Sequence, residues 1–145
     1  MITQSIDIER RPEEVFAYLD QLERHGEWQE AIVECRRETE GPTRVGSRAT
    51  DIRRVPGGPR ELTYEITEHE PPRRVSFRGT NGPVRAVGTL TLEPQGDGSR
   101  SRLTLKLDLE GHGAGRLFAP LARMQARRQV PRDQQQLKER LEAGA

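Results

Sequence analysis

Short segments in which apolar and polar residues alternate fill the chain between Val45 and Glu110, and clusters of glycine and proline separate them. In the last segment, every second residue from Leu103 to Leu109 is leucine. A period of two places these side chains on one face of a β-strand. Because the separating turns are short, neighbouring strands should run antiparallel with one solvated face. The pattern therefore predicts an antiparallel sheet whose apolar face requires a cover.

The same alternation begins at the N-terminus, where Ile2, Ile6 and Ile8 share one face. Turn residues close each segment, and the run from Pro56 to Pro59 closes the third. The sequence thus predicts seven strands, which cover residues 2–9, 31–39, 45–55, 61–67, 75–79, 84–93 and 103–110.

One helical segment follows the first strand. Pro12 suits the first turn of a helix, and the acidic side chains of Glu13 and Glu14 complement its positive N-terminal end. Apolar residues then recur at helical spacing as far as Leu22, and Gly26 is a natural stop. We therefore predict a helical insertion between the first two strands.

The C-terminal segment is the longest stretch without a cluster of turn residues, and it predicts an amphipathic helix. Leu117, Leu121 and Met124 recur at i, i+4 and i+7. Leu137 and Leu141 resume the pattern one pitch apart. We expect the first half of this helix to roof a cavity, and the second half to pack on the sheet through the two later leucines.

Two prolines interrupt this C-terminal segment. Pro120 fits the first turn if the helix begins near Phe118. Pro131 lies inside the helix, where it removes one backbone hydrogen bond and crowds the preceding turn. The sequence therefore predicts a bend or a break near Gln129.

The composition argues against several classes of protein. The 145 residues predict one domain over residues 1–145, and a net charge of +1 gives no general attraction to nucleic acid. No apolar run approaches the roughly 18 residues of a membrane span, and the N-terminus lacks the pattern of a signal peptide. The single cysteine, Cys35, excludes an internal disulfide. We expect a cytoplasmic protein, and the strong preference for arginine over lysine indicates a bacterial one.

Several short motifs follow one another along the chain. They are Arg11 to Phe16, Glu27-Trp28, Gly41-Pro42 with Val45-Gly46, Tyr64 to Glu68 with Pro71 to Val75, and Leu137 to Glu142. In this order the set resembles the START-like superfamily, also called helix-grip or SRPBCC, and in particular its polyketide cyclase/dehydrase branch. The resemblance implies an α+β fold in which a seven-stranded antiparallel sheet wraps around a long C-terminal helix. It also implies two short helices after the first strand, and a cavity between sheet and helix.

Members of this branch include aromatic cyclases and carriers of lipids or quinones. The resemblance therefore implies the binding, with transport as one form of it, of a hydrophobic small molecule such as a lipid, quinone or polyketide. An enzyme of the polyketide cyclase or dehydratase type is the first alternative, and a protein–protein interaction module is the second. Whether the protein is an enzyme stays open at this point, and no cofactor is indicated.

A cavity of this kind would be lined by the larger apolar side chains. The same side chains could instead simply form the core, because buried aromatic residues usually pack. The candidate ligand-binding residues are Trp28, Tyr64, Phe77, Leu90, Phe118 and Leu121.

Three residues are candidates for catalytic roles. Tyr64 is the only hydroxyl-bearing aromatic residue on the apolar stripe of a strand, so its hydroxyl could bond a ligand carbonyl or act as a weak acid. It could equally reach backbone or water at the sheet edge. In strand 45–55, Arg48 and Asp51 lie on opposite faces, and periodicity does not decide which one points inward. A solvated position is the alternative for both.

Histidine and cysteine residues show no metal-binding spacing. His25, His69 and His112 lie far apart, and Cys35 stands alone, so the sequence predicts no metal site. His69 is flanked by two glutamates and precedes a pair of prolines, a pattern that indicates a strand end in solvent.

Basic residues dominate the segment from Gly113 to Arg132, which contains no acidic residue. Its arginines could form a solvated helix face whose stems cover apolar surface. They could also form a patch for anionic lipid or an acidic partner, whereas the clustering expected for nucleic acid is missing. The protein is expected to be a monomer or homodimer without a transmembrane segment. The arginines are Arg116, Arg123, Arg127, Arg128 and Arg132.

Overall fold

The computed structural model describes residues 1–55 and 58–144. In these residues, seven strands build one sheet. They agree with the predicted strands to within a few residues, and the part of the predicted turn at Pro56 and Gly57 lies outside the described residues. The strands are β1 (Ile2–Ile8), β2 (Ile32–Arg37), β3 (Arg48–Val55), β4 (Gly58–Glu70), β5 (Arg74–Gly79), β6 (Val84–Gln95) and β7 (Arg100–Gly111).

Every neighbouring pair of strands is antiparallel, in the order β1-β7-β6-β5-β4-β3-β2. The first strand therefore lies beside the last. The register aligns apolar residues across the sheet, since Leu103 lies between Ile6 on one side and Leu92 on the other. One face, which we call the inner face, thus carries most of the large apolar side chains.

Four helical segments complete the described part of the chain. They confirm the expected α+β helix-grip fold, with two short helices after β1 and a long helix at the C-terminus. None of these helices is both long enough and apolar enough to cross a bilayer. The segments are α1 (Pro12–Leu19), a first 3-10 helix (Leu22–Glu27), a second 3-10 helix (Gly113–Leu117) and α2 (Ala119–Glu142).

Helix α2 is continuous through Pro131, so of the bend or break predicted near Gln129 the break is wrong, and the bend stays a prediction. A proline removes only the hydrogen bond of its own nitrogen, and the bonds of the adjacent turns keep the helix intact. Pro120 lies in the first turn, where its nitrogen would have no helical partner in any case. Because the helix is unbroken, all of its side chains share one helical phase.

Leu137 and Leu141 set the buried side of α2, since they are 0% and 2% exposed. Val130 and Ala119, which are also buried, precede Leu137 by 7 and 18 residues, or about two and five turns. Leu121 precedes Leu137 by 16 residues, which is about four and a half turns. Leu121 therefore points to the opposite side of the helix.

The expectation that the first half of the helix roofs a cavity is consequently wrong. Leu117, Phe118, Leu121 and Met124 are 81%, 58%, 46% and 46% exposed. Ala126 occupies the side that faces the sheet and packs against a small core cluster there. Phe118 and Leu121 thus do not line the space between α2 and the sheet.

The main core lies between α2 and the inner face. Helix α2 packs chiefly on β1 and β7. Leu137 and Leu141 join the largest core cluster, which also includes Ile8 from β1, Val15 from α1 and Leu103 from β7. The C-terminal half of α2 is therefore fixed against the sheet by apolar packing.

Leu137→Ala should lower the free energy of unfolding by about 2–5 kcal/mol, because it leaves a cavity at a fully buried site. The exposed leucine at position 117 provides a matched control, and Leu117→Ala should change that free energy by less than about 0.5 kcal/mol. Urea denaturation followed by circular dichroism measures both. A loss below about 1 kcal/mol for Leu137→Ala would contradict the packing described above.

Candidate functional site

The inner face of the sheet is not completely covered. Large apolar side chains from β4, β5, β6 and β7 keep partial exposure, although the strand register directs them toward the side of α2. We call this partly exposed part of the inner face, on the side of α2, the candidate site. The partly exposed side chains are Leu62, Tyr64, Phe77, Leu90 and Leu105.

Tyr64 and Phe77 form the aromatic part of this surface. Their ring centroids lie 6.1 Å apart at an interplanar angle of 68°, which is an edge-to-face arrangement. Gly88 makes room for Phe77, because a Cβ atom at position 88 would lie 2.6 Å from the Phe77 Cζ atom. A larger residue at position 88 would force the ring to move. The glycine therefore helps to fix where this aromatic surface lies.

Five polar side-chain atoms are buried without a nitrogen or oxygen partner among the described residues, and besides Arg74 Nε and Gln134 Oε1 three of them lie at this end of the core. These three are Trp28 Nε1, Asp51 Oδ1 and the Tyr64 hydroxyl. Ala49 pairs with Tyr64, so Asp51, two residues further along β3, lies on the same face. Cys35 lies opposite Asp51 in β2. The Cys35 thiol is a hydrogen-bond neighbour of both Asp51 and Tyr64, and a thiol is a weak partner for such groups.

β3 directs Asp51 toward α2 and Arg48 away from it. Asp51 is 5% exposed, whereas Arg48 is exposed and pairs across the sheet with Glu65. The register of β3 therefore decides which of the two residues points inward, a choice that the sequence pattern left open. The structure places Asp51 and Tyr64 at the candidate site and removes Arg48 from it.

Arg53 partly neutralises the buried carboxylate of Asp51. Its Nε atom lies 3.6 Å from Asp51 Oδ2, and its guanidinium also donates to the side chain of Gln29. Asp133 of α2 is near the same positive charge and accepts a hydrogen bond from Gln129 at 2.8 Å. Burial raises the pKa of Asp133. A polar layer therefore connects β3 with α2 beside the candidate site.

Burial keeps the thiol, the phenol and the nearby imidazole uncharged at neutral pH. Burial, reinforced by the Asp51 charge, raises the pKa of Tyr64 and that of Cys35 well above their usual ranges. Burial lowers the pKa of His25, whose Nε2 lies 2.7 Å from the carbonyl oxygen of Leu19. Because a carbonyl only accepts, that nitrogen carries the proton. The site offers a hydroxyl and a thiol as donors rather than as anionic nucleophiles.

The structure brings together part of the predicted set of lining residues. Trp28 belongs to the main core cluster, and Tyr64, Phe77 and Leu90 pack against it from the inner face. These four residues border the candidate site, and their role in ligand binding stays a prediction. The other two predicted lining residues point outward from the N-terminal part of α2 and are excluded from the site.

His69 does not lie at a solvated strand end, contrary to the sequence prediction. Its side chain is 12% exposed, and its Nε2 lies 2.9 Å from the Asp20 Oδ2 atom at the end of α1. Its ring also packs edge-on against Phe16. Burial raises the pKa of Asp20. The residues around His69 could not reveal this pair, because α1 approaches β4 only in the folded protein.

The sequence did not identify Cys35, His25 and Arg53 as neighbours at one site. Cys35 meets Asp51 only through the pairing of β2 with β3, and that pairing contains a register shift. Alternation alone does not specify such a shift. Among the described residues, no group of three or more histidine, cysteine, aspartate or glutamate side chains is arranged to hold a metal ion.

Two open clefts occur elsewhere on the surface. One, of about 670 Å³, runs along the outer side of α2 between Pro131 and Ala143. The other, of about 300 Å³, lies between α1 and the turn at Pro71 and Pro72. The unpartnered polar atoms border neither cleft. The candidate site at the inner face of the sheet is therefore separate from both clefts.

The chain matches a known family over nearly its whole length. A family model described as polyketide cyclase / dehydrase and lipid transport covers residues 1–143. The chain belongs to this family. This membership confirms the resemblance to the polyketide cyclase/dehydrase branch seen in the sequence, and solved structures share the START-like fold.

Bacterial proteins are among those that this chain resembles. An uncharacterised protein of Mycobacterium tuberculosis is 29% identical over 124 residues, which cover 85% of this chain and 83% of that protein. A START superfamily protein from Mycobacterium smegmatis superposes with a TM-score of 0.80 at 13% identity, covering 99% of this chain and 98% of the other. The Zhui aromatase/cyclase from a Streptomyces species gives a TM-score of 0.79 at 13% identity, with 97% and 92% covered. At such identities the solved structures establish a shared fold.

The reactivity of the Cys35 thiol should depend on the charge of the Asp51 carboxylate. Because the Asp51 carboxylate disfavours the thiolate, Asp51→Asn should lower the pKa of Cys35 and raise its rate of alkylation by iodoacetamide about threefold or more near pH 8. Mass spectrometry at several pH values measures the rate. Asp108→Asn, at a half-buried position on β7, is the control and should leave the rate unchanged. Equal rates in the wild type and Asp51→Asn would show that Asp51 does not act on the thiol.

Proposed function

We propose that the protein binds a largely apolar small molecule that carries a hydroxyl or carbonyl group, in the space between α2 and the inner face. The observation that carries this proposal is the group of unpartnered buried atoms at Trp28, Asp51 and Tyr64. Burying a polar group without a hydrogen bond costs about 1–3 kcal/mol in proteins, and the Cys35 thiol is only a weak partner for Asp51 and Tyr64. A ligand that supplies their partners would recover that cost.

Each of these atoms has a definite preference for a partner. The Tyr64 hydroxyl and the Trp28 indole N–H can donate to a carbonyl oxygen of the ligand, and Asp51 Oδ1 can accept from a hydroxyl group. The apolar part of the ligand would lie against Phe77 and Leu90, which keep exposed surface on the inner face. The site would thus fix the polar end of the molecule and bury the rest by the hydrophobic effect.

These preferences favour polyketides, quinones and hydroxylated lipids over plain hydrocarbons. The family description combines cyclase or dehydrase activity with lipid transport. One structural neighbour is an aromatase/cyclase. We also propose that the protein transports the bound molecule, which the family description supports. A cytoplasmic location is a further part of the proposal.

An enzyme of the cyclase or dehydratase type is the second candidate, and the proximity of Asp51 and Tyr64 favours it. The Asp51 carboxylate could remove a proton from a carbon next to a carbonyl group, while the Tyr64 hydroxyl bonds the carbonyl oxygen. Binding ranks first because it needs only the contacts described above, whereas catalysis also needs the Asp51 carboxylate, which Arg53 partly neutralises, to act as a base.

The compound 1,8-dihydroxyanthraquinone carries both carbonyl and hydroxyl groups and should quench the fluorescence of Trp28, the single tryptophan of the chain. Tyr64→Phe should raise its Kd about three- to tenfold, because one neutral hydrogen bond is lost. Tyr18→Phe is the matched control, since the Tyr18 hydroxyl donates to Glu27 at 2.7 Å and not to the site. Equal losses in the two variants, or no saturable quenching in the wild type, would contradict the proposal.

Native mass spectrometry of the purified protein should distinguish binding from catalysis. If the protein only binds its ligand, the wild type and Asp51→Asn should carry the same small molecule, with lower occupancy in the variant. A variant that instead carries a molecule heavier by one water would favour the dehydratase alternative. Asp108→Asn serves again as the control and should match the wild type in both mass and occupancy.

A further inference from the structure

The outer side of α2 and the turn before it carry an apolar surface that internal packing does not use. Leu117, Phe118, Leu121 and Met124 fall within eight residues and are four of the seven large hydrophobic side chains that are exposed in the described part of the chain. Single exposed hydrophobic residues are normal on a protein surface. A group of them rimmed by polar residues marks an interaction site.

Contacts on the opposite side of this segment hold these side chains toward solvent. Gly115 is buried against Pro83, where a Cβ atom would overlap the proline carbonyl, and the His112 N–H donates to that carbonyl oxygen at 2.8 Å. Arg123 donates to the carbonyl of Leu109 at 2.8 Å. Rotating α2 to bury its outer leucine and methionine would break these contacts. The exposure therefore follows from the fold.

Arginines continue the same side of the helix. Leu121, Met124, Arg128 and Arg132 follow one another at i, i+3, i+7 and i+11, so they form one stripe along α2. The two arginines take part in no ion pair between described residues. No acidic residue occurs between Gly113 and Arg132. The surface thus combines an apolar end with an uncompensated positive flank.

We propose that this surface binds the face of a bilayer that contains anionic lipid. The apolar end enters the boundary between headgroups and acyl chains, and the arginines pair with lipid phosphates. Amphipathic segments that lie on a membrane usually bind in this way. We call the surface the docking stripe, and its residues are Leu117, Phe118, Leu121, Met124, Arg128 and Arg132.

Charge favours lipid over the other possible occupants of the docking stripe. A two-fold contact centred on the basic end of the docking stripe would bring arginines from both copies together, since the stripe contains no carboxylate. Single-stranded nucleic acid would call for several aromatic side chains on which successive bases can stack, whereas Phe118 is the only aromatic residue of the docking stripe. An anionic bilayer satisfies the apolar and the basic part at once.

The docking stripe lies on the side of α2 that faces away from Tyr64 and the inner face. Its variants should therefore leave binding of 1,8-dihydroxyanthraquinone unchanged, so this proposal can fail or succeed independently of the proposed function.

Sedimentation of the full chain with vesicles tests the docking stripe. We expect binding to phosphatidylcholine vesicles that contain about 30% phosphatidylglycerol, no binding to pure phosphatidylcholine, and at least about fivefold weaker binding when salt rises from about 0.1 to about 0.5 M. Phe118→Ser and the double variant Arg128→Gln/Arg132→Gln should each weaken binding about fivefold or more. The controls are Val33→Ser and Arg78→Gln/Arg100→Gln, which alter exposed residues elsewhere and should bind like the wild type.

Three results would overturn the proposal. The first is no binding of the wild type to anionic vesicles at low salt. The second is equal weakening by the docking-stripe variants and their controls. The third is a dimer, detected by light scattering, that Phe118→Ser dissociates, because that result would assign the stripe to a second copy of the chain. Thermal melting of each variant shows that it is folded before binding is compared.

Discussion

The packing of Leu137 and Leu141 against the inner face is the contact on which the other features depend. Both side chains are almost completely buried and belong to the cluster that also contains residues of α1 and of the sheet. In an unbroken helix, fixing one turn fixes the direction of every other side chain. The same contact therefore turns small residues toward the sheet in the first half of α2 and places Leu121 in solvent. It also fixes α2 over β1 and β7, on the side of the sheet where the candidate site lies.

The candidate site combines two properties that a protein interior rarely shows together. Apolar side chains such as Phe77 and Leu90 retain exposed surface on the inner face, and nearby polar atoms of Asp51 and Tyr64 are buried without partners. In an ordinary core, other side chains would cover such apolar surface, and the buried polar atoms would have hydrogen-bond partners. Arg53 offsets only one oxygen of the Asp51 carboxylate. The Cys35 thiol is a further neighbour of this carboxylate, and the ligand proposed above would add a stronger hydrogen bond at Oδ1.

Most of the fold could be predicted because the period-two pattern and the turn residues identify the strands locally. The phase of α2 was missed for a physical reason. The predicted bend or break near Gln129 would allow the two halves of the helix to have different phases, and the spacing of Leu117, Leu121 and Met124 then indicates the buried side. With the helix continuous, the spacing back from Leu137 selects Ala119 and Ala126 instead. The polar part of the candidate site could not be predicted from neighbouring residues in the sequence, because Cys35 and Asp51 meet only through the shifted pairing of β2 with β3.

The most direct test of the central claim is a crystal structure of the protein bound to 1,8-dihydroxyanthraquinone. Our account predicts that the molecule lies between α2 and the inner face, with a carbonyl or hydroxyl oxygen within hydrogen-bonding distance of the Tyr64 hydroxyl or Asp51 Oδ1. Its rings should contact Phe77 and Leu90. A structure in which protein side chains fill that space and pair both polar atoms, with the compound bound elsewhere or absent, would contradict the account.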